Sequence, residues 1–314
     1  MGSVAVASRS FSKNKILRER LLSKYPDAKF NDEGLSLYGE GLIKFLDGHS
    51  KAITALEKID DTILKSLPDL RVIGKYGVGL DMIDLNAMSK HGVKLGWKGG
   101  VNKRSVAEQV VAASISLLHR SYYANNEVKK GKWRQIKGNQ LSGKKVGIIG
   151  CGHIGKDLVG LLEPFQCKIF ANDIIDFKEF YEENNVIQLD IEDLLSESDI
   201  ITLHLPFNDS TYRIINKKRL NLIKESSIII NFARGGLIDE DALKDKLSNG
   251  DIRGAALDVF ECEPPGDNSL IHMENVFVTP HIGGSTEEAI EAMGISAIEG
   301  LDCAEDPINF LKYT

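Results

Sequence analysis

A regular alternation restricts the fold of this chain more than any other feature. Short apolar runs (SVAVAS, KAITAL, RVIGKYG and VKLGW early, then KKVGIIG, CKIFAND, DIITLHLP, SIIINFA, GAALDVF and NVFVTP) are separated by segments of helical pattern. Strands that alternate with helices pair in parallel and are covered on both faces, so an α/β architecture is expected. The run from Ile228 to Phe232, apolar on both sides, suits such burial. The 314 residues exceed one ordinary core and fit two domains or one large α/β unit.

The two strand sets are joined by residues 102–133, where Val106, Val110, Ala113, Ile115 and Leu118 recur at roughly helical spacing. A crossover helix is expected there, with Ser105 as N-cap and Glu108 completing a capping box. Its apolar positions suit core packing and a dimer surface equally. The last segment, STEEAIEAMGISAIEGLDCAED, predicts a helix that runs until Asp306-Pro307 breaks it and that returns to the first domain.

GIIGCGHIG places Gly150, Gly152 and Gly155 directly after a strand and at the start of an amphipathic helix from about His153 to Leu162. With 29 glycines in the chain, such a triplet arises by chance roughly a quarter of a time, so the context decides. In that context Gly150 makes the tight turn, Gly152 admits a pyrophosphate close to the backbone, and Gly155 lets helix and strand pack. The amides of His153 and Ile154 then face the phosphates. The next strand ends at Asp173, at the spacing of a carboxylate that holds an adenosine ribose. Ile174 and Ile175 follow it and offer no arginine for a 2′-phosphate, so NAD is expected over NADP.

Three further strand ends carry titratable or charged groups. NFARGG gives Arg234, ALDVFECEP gives Asp258, Glu261 and Glu263, and TPHIGG gives His281. Ligands of open α/β sheets bind at the carboxyl ends of strands, so these segments are expected to line one cleft. The guanidinium fork of Arg234 suits a carboxylate and adjacent carbonyl, although pairing with a surface acid is equally consistent. Asp258 reads as a buried acceptor for turn amides or as a holder of a nicotinamide carboxamide. His281 suits proton exchange with a hydroxyl at C2, because imidazole titrates near neutral pH. A neighbouring carboxylate, with Glu263 the choice, would fix its tautomer.

Composition narrows the partners. The net charge of −6 without any basic run argues against nucleic acid, and the apolar runs stop far short of the roughly 20 residues of a membrane span. A small-molecule partner is expected. Cys151, Cys167, Cys262 and Cys303 form no C-x-x-C pair, no metal site is read, and the N-terminus lacks a signal pattern, which together predict a reducing cytoplasm.

The segments KYGVGLDMIDLNAMSKHGV, VNKRSVAEQV, GIIGCGHIG with Asp173, INFARGGLIDEDAL, ALDVFECEPP and VTPHIGGSTEEA, in this order, resemble the D-2-hydroxyacid dehydrogenases, in particular the phosphoglycerate dehydrogenase branch. The resemblance implies two Rossmann-like, doubly wound parallel-sheet domains. An NAD-binding domain (100–285) would be inserted in a discontinuous flavodoxin-like substrate domain (1–99 and 286–314). It implies a catalytic set of Arg234, Glu263 and His281, with Glu263 preferred to Glu261 because it directly precedes the proline. It also implies Asp258 as a nicotinamide contact, and His204, Pro206, Ala233, Arg234, His281 and Gly283 as cofactor-lining positions. Tyr76, Gly77, Val78 and Gly79 would cradle the substrate carboxylate by their backbone, and Asn102 would touch the substrate.

A homodimer through the NAD domain is implied as well. The activity implied is interconversion of a small D-2-hydroxy acid and its 2-oxo acid, with 3-phosphoglycerate first and hydroxypyruvate or glyoxylate as alternatives. A reading of another class, an NADH-sensing binding protein without significant turnover, keeps the same residues. Two departures from the branch stand out. AITALEKID lacks the arginine that meets the substrate phosphate, leaving Lys58, Arg9 and Lys75 as nearby cations, the last two equally readable as surface residues. The chain also ends soon after the return helix, so feedback by serine through an appended domain is not expected.

Overall fold

The computed structural model describes residues 2–313, which form two compact units: residues up to Asn102 together with those from Glu287 onward, and Lys103–Thr286. The first holds strands β1 (Val4–Val6), β2 (Lys29–Phe30), β3 (Lys51–Thr54), β4 (Val72–Lys75) and β5 (Lys94–Gly96). All pair in parallel, in the order β2-β1-β3-β4-β5, which is the flavodoxin-like arrangement. The helix Glu287–Gly300 lies on β4 and β5 at a distance only glycine permits. A Cβ on Gly74 would sit 2.3 Å from the Ala297 carbonyl oxygen, and one on Gly96 would sit 2.2 Å from that of Gly300.

That helix ends at Gly300, short of the Asp306-Pro307 break. The chain turns there because Glu305 bridges antiparallel to Leu95, with Leu95 N donating to Glu305 O at 2.9 Å and Glu305 N to Leu95 O at 3.0 Å. Asp302 anchors the turn by pairing with Lys51 at 2.9 Å and accepting from the Tyr25 hydroxyl. Those two contacts hold its carboxyl below the usual range.

The second unit holds β6 (Lys145–Ile149), β7 (Lys168–Asn172), β8 (Ile187–Gln188), β9 (Ile200–Leu203), β10 (Ile228–Asn231), β11 (Gly254–Leu257) and β12 (Val276–Val278). Their order β12-β11-β10-β9-β6-β7-β8 is wholly parallel and reverses direction beside β6, as in a dinucleotide-binding sheet with one added strand. Side chains alternate between its faces. Ile228 and Ile230 meet the core under helices Lys103–His119 and His153–Leu162, while Ile229 meets the core under Ile191–Glu197 and Glu240–Asn249. Among the described residues, no helix is long and apolar enough to cross a membrane.

The crossover differs from expectation in two ways. Helix Lys103–His119 starts before Ser105, so Ser105 is no N-cap; its hydroxyl instead donates to Gly283 O at 2.6 Å. The helical pattern also breaks at Arg120, which adopts a left-handed conformation (φ 56°) before a second helix, Ser121–Lys129. Val106, Val110, Ala113 and Leu118 are buried in the unit's own core and Ile115 is half-buried against it, so that face packs internally.

Candidate active site

Three adjacent parallel strands deliver Arg234, Glu263 and His281 to one edge of the second unit, since Arg234 follows β10, Glu263 follows β11 and His281 follows β12. The first two loops interlock. A Cβ on Gly235 would lie 1.8 Å from the Phe260 carbonyl oxygen, so only glycine allows the Arg234 loop this close to the Glu263 loop. Asn231, which the sequence reading passed over, braces the bend. Its Nδ2 donates to Arg234 O at 2.8 Å and its Oδ1 accepts from Ala233 N at 3.2 Å.

His281 Nδ1 lies 2.7 Å from Glu263 Oε2, and Glu263 Oε1 accepts from Phe260 N at 3.2 Å. Glu261 turns away to pair with Arg213 at 3.3 Å. A carboxylate facing Nδ1 assigns the proton to that nitrogen and leaves Nε2 as the outward-facing atom. The two side chains are 50 % and 38 % exposed, where an ion pair contributes little stability, so the contact serves orientation.

His281 itself has φ 54°, a left-handed conformation that costs a non-glycine residue about 1–3 kcal/mol unless its surroundings enforce it. Asp258 does the enforcing. Buried to 2 % exposure, it accepts from Ile282 N at 2.8 Å, Gly283 N at 2.7 Å and the Thr279 hydroxyl at 2.5 Å. Its backbone oxygen accepts from His281 N at 2.9 Å. Of the two roles open to Asp258, acceptor for turn amides is the one on display. Gln109 extends the brace by donating to the Thr279 hydroxyl at 3.2 Å, another contact no sequence signal announced.

The glycine loop after β6 has the geometry of a phosphate site. A Cβ on Gly150 would meet His204 O at 2.7 Å and one on Gly155 would meet Gly150 O at 2.6 Å, whereas one on Gly152 would point into open space. The first amides of helix His153–Leu162 have no partner within the helix and face the same opening. Asp173, one residue beyond β7, accepts from Cys151 N at 2.7 Å and Ile175 N at 2.9 Å, tying the glycine loop to the next strand end. Ile174 is fully exposed beside it.

His204 follows β9, with Nε2 3.1 Å from the Thr202 hydroxyl and a buried Nδ1 that has no partner among the described residues. Burial pushes its imidazole down to about 3, so the ring is neutral at ordinary pH. Pro206 accepts from the Thr211 hydroxyl at 2.8 Å, and Ala233 is buried. Desolvation, then Lys103 and Lys156, lower the His153 imidazole. A narrow glycine cradle, an orphaned polar nitrogen and a terminal carboxylate together fit a dinucleotide.

In the first unit, β4 runs into Tyr76–Gly79. Tyr76 is buried with its ring edge-on to Phe11, and burial pushes its phenol up against the opposing effect of the Ser10 hydroxyl. Gly77 has φ 123°, Val78 O accepts from Trp97 Nε1 at 3.1 Å, and the amides of Gly77, Val78 and Gly79 donate to no other described residue. Asn102 is buried and its Oδ1 has no partner among the described residues. Lys75 is buried rather than superficial, because its ammonium donates to Ala55 O.

Comparison with known proteins agrees with this geometry. Residues 111–283 match the family model described as D-isomer specific 2-hydroxyacid dehydrogenase, NAD binding domain. The chain is 38 % identical to D-3-phosphoglycerate dehydrogenase of Methanocaldococcus jannaschii over 279 residues, covering 86 % of this chain and 53 % of that one. It is 36 % identical to hydroxypyruvate reductase of Thermotoga maritima over 252 residues, covering 79 % and 81 %. D-lactate dehydrogenase of Aquifex aeolicus, solved with NAD and lactic acid, superposes with a TM-score of 0.83 at 25 % identity, covering 96 % and 94 %. The chain belongs to the D-isomer specific 2-hydroxyacid dehydrogenase family, and its second unit is the family's NAD-binding domain. It spans about half the length of the phosphoglycerate dehydrogenases it first matches.

Proposed function

We propose that this chain is an NAD-dependent oxidoreductase that interconverts a small D-2-hydroxy acid and its 2-oxo acid. The observation that carries the proposal is the His281–Glu263 pair at 2.7 Å, held beside the Arg234 loop on the same sheet edge as the glycine cradle. When bound, the nicotinamide supplies or accepts a hydride. The chain's own groups do the rest. The amides of Gly152 to Gly155 hold the pyrophosphate and Asp173 accepts from the adenosine ribose, where it repels a 2′-phosphate. Arg234 grips the substrate carboxylate and neighbouring oxygen with its planar fork. His281 Nε2 gives a proton to the C2 oxygen during reduction and takes it back during oxidation, while Glu263 keeps the ring aimed and its Nδ1 protonated. Within the first unit, the amides of Gly77–Gly79 and the side chain of Asn102 are polar groups suited to an acid.

In the test, NADH oxidation is followed with 3-phosphohydroxypyruvate, hydroxypyruvate, glyoxylate, pyruvate and 2-oxoglutarate. At least one acid is expected to turn over, with NADH preferred to NADPH. NADH binding without turnover of any 2-oxo acid would replace this reading by that of a nicotinamide-sensing protein.

The reading includes cytoplasmic location and a homodimer through the NAD-binding domain. Trp133, 89 % exposed on an irregular segment of that unit, supports the second point. Light scattering separates one chain from two, and a monomeric mass would remove it.

A further inference from the structure

We propose that Arg9 is the residue that selects a substrate bearing a second anionic group, a phosphate on C3 of the acid. The inference rests on the dehydrogenase reading above. A dianionic phosphate in a small-acid site needs a cation near the carboxylate cradle, and the first unit has few to offer. Lys58 is 71 % exposed and paired with Asp60 at 3.5 Å. Lys75 is buried and committed to Ala55 O, while Glu57, also buried, accepts from Ala55 N at 2.6 Å on the same residue. That bracket uses the lysine and a compensating carboxylate to fix the loop after β3. The loop presents Leu56, 75 % exposed, in place of a charge.

Arg9 differs from both. It stands just beyond β1, the direct neighbour of β3 in the parallel sheet, so it shares the carboxyl edge that carries Leu56 and the Tyr76–Gly79 cradle. It is exposed and makes no hydrogen bond or ion pair with any described residue. Its segment is fastened to the cradle. Phe11 stacks edge-on against Tyr76 with ring centroids 5.4 Å apart, and the Ser10 hydroxyl acts on the Tyr76 phenol and lies 3.3 Å from the Ser8 hydroxyl. A guanidinium fork is the side chain that takes a phosphate in bidentate fashion. Lys98, exposed beyond β5 next to the Trp97 that bonds Val78 O, is the competing cation. It lacks the planar fork.

The test compares 3-phosphohydroxypyruvate with hydroxypyruvate, which differ only in the phosphate, on wild type, Arg9→Met, Arg9→Lys and Lys98→Met. Arg9→Met is expected to raise KM for the phosphorylated acid by about 10- to 100-fold, the range for losing charge-assisted hydrogen bonds, with kcat nearly unchanged. KM for hydroxypyruvate stays within about 2-fold, and Arg9→Lys falls between. An equal change for both acids, no change for either, the selective loss appearing in Lys98→Met instead, or a wild type indifferent to the phosphate overturns the assignment and leaves the dehydrogenase reading intact. Turnover of no acid at all overturns that reading instead. Thermal protection by 3-phosphoglycerate then decides on Arg9 alone: protection lost in Arg9→Met supports it, and protection kept refutes it.

Discussion

Replacing His281 by alanine is expected to lower kcat for 2-oxo acid reduction by about 10²–10⁴-fold, the usual worth of a positioned general acid. NADH affinity is expected to change by no more than a few-fold. The split follows from where the ring sits. Its Nδ1 is committed to Glu263 and its Nε2 faces outward, so the side chain supplies a proton rather than a binding surface for the dinucleotide. Stability is expected to hold, because the His281–Glu263 pair is half exposed and the turn beneath it hangs on Asp258. Single-turnover absorbance of NADH and a fluorescence titration of its binding measure the two quantities on one sample. Near-normal turnover in the variant would remove His281 from the chemistry.

The second large effect concerns a residue that need not touch the substrate. Asp258→Ala leaves the amides of Ile282 and Gly283 and the hydroxyl of Thr279 without their acceptor, Gly283 in a buried place and the other two part-buried. A buried orphaned donor costs about 1–3 kcal/mol and a wetter one less, so a loss of about 2–3 kcal/mol is expected, a sizeable part of the roughly 5–15 kcal/mol of a typical domain. Activity is expected to fall with it, since nothing then compels His281 to keep φ near 54°. Asp258→Asn does not rescue the site, because an amide nitrogen would face a backbone N–H where a carboxylate oxygen now accepts. Urea denaturation of the cofactor-free protein is the deciding measurement. An Asp258→Ala chain as stable as wild type would show that the carboxylate acts only on the cofactor.

These expectations show where the sequence was sufficient. Runs such as SIIINFA and KKVGIIG announced β10 and β6 because a strand buried on both faces must be apolar throughout, and the helix His153–Leu162 followed from its spacing. The two-residue strands β2 and β8 carry too few side chains to leave a pattern. Ser105 resembled a cap because Ser-x-x-Glu is a local signal, but the helix begins earlier and the hydroxyl serves Gly283, 178 residues away. Lys75 looked like a surface cation because burial of a lysine depends on a distant carbonyl. His281 was legible as a titratable group at a strand end, yet its conformation depends on Asp258 from another strand. Local rules identified residue types and strand ends, whereas contacts across the sheet decided what each polar atom does.

The insertion of one unit within the other has a consequence for how the chain is made. Residues up to Asn102 emerge first and contain all five strands of their sheet, but the helix that covers β4 and β5 belongs to Glu287–Gly300. At ordinary synthesis rates the intervening unit takes roughly 10 to 40 s to appear. Throughout that interval the face built around Gly74 and Gly96, shaped to accept a helix backbone at contact distance, has no helix to accept. The nascent chain thus carries an open apolar groove on the ribosome for longer than most domains need to fold, and closes it only once Glu287–Gly300 has been made.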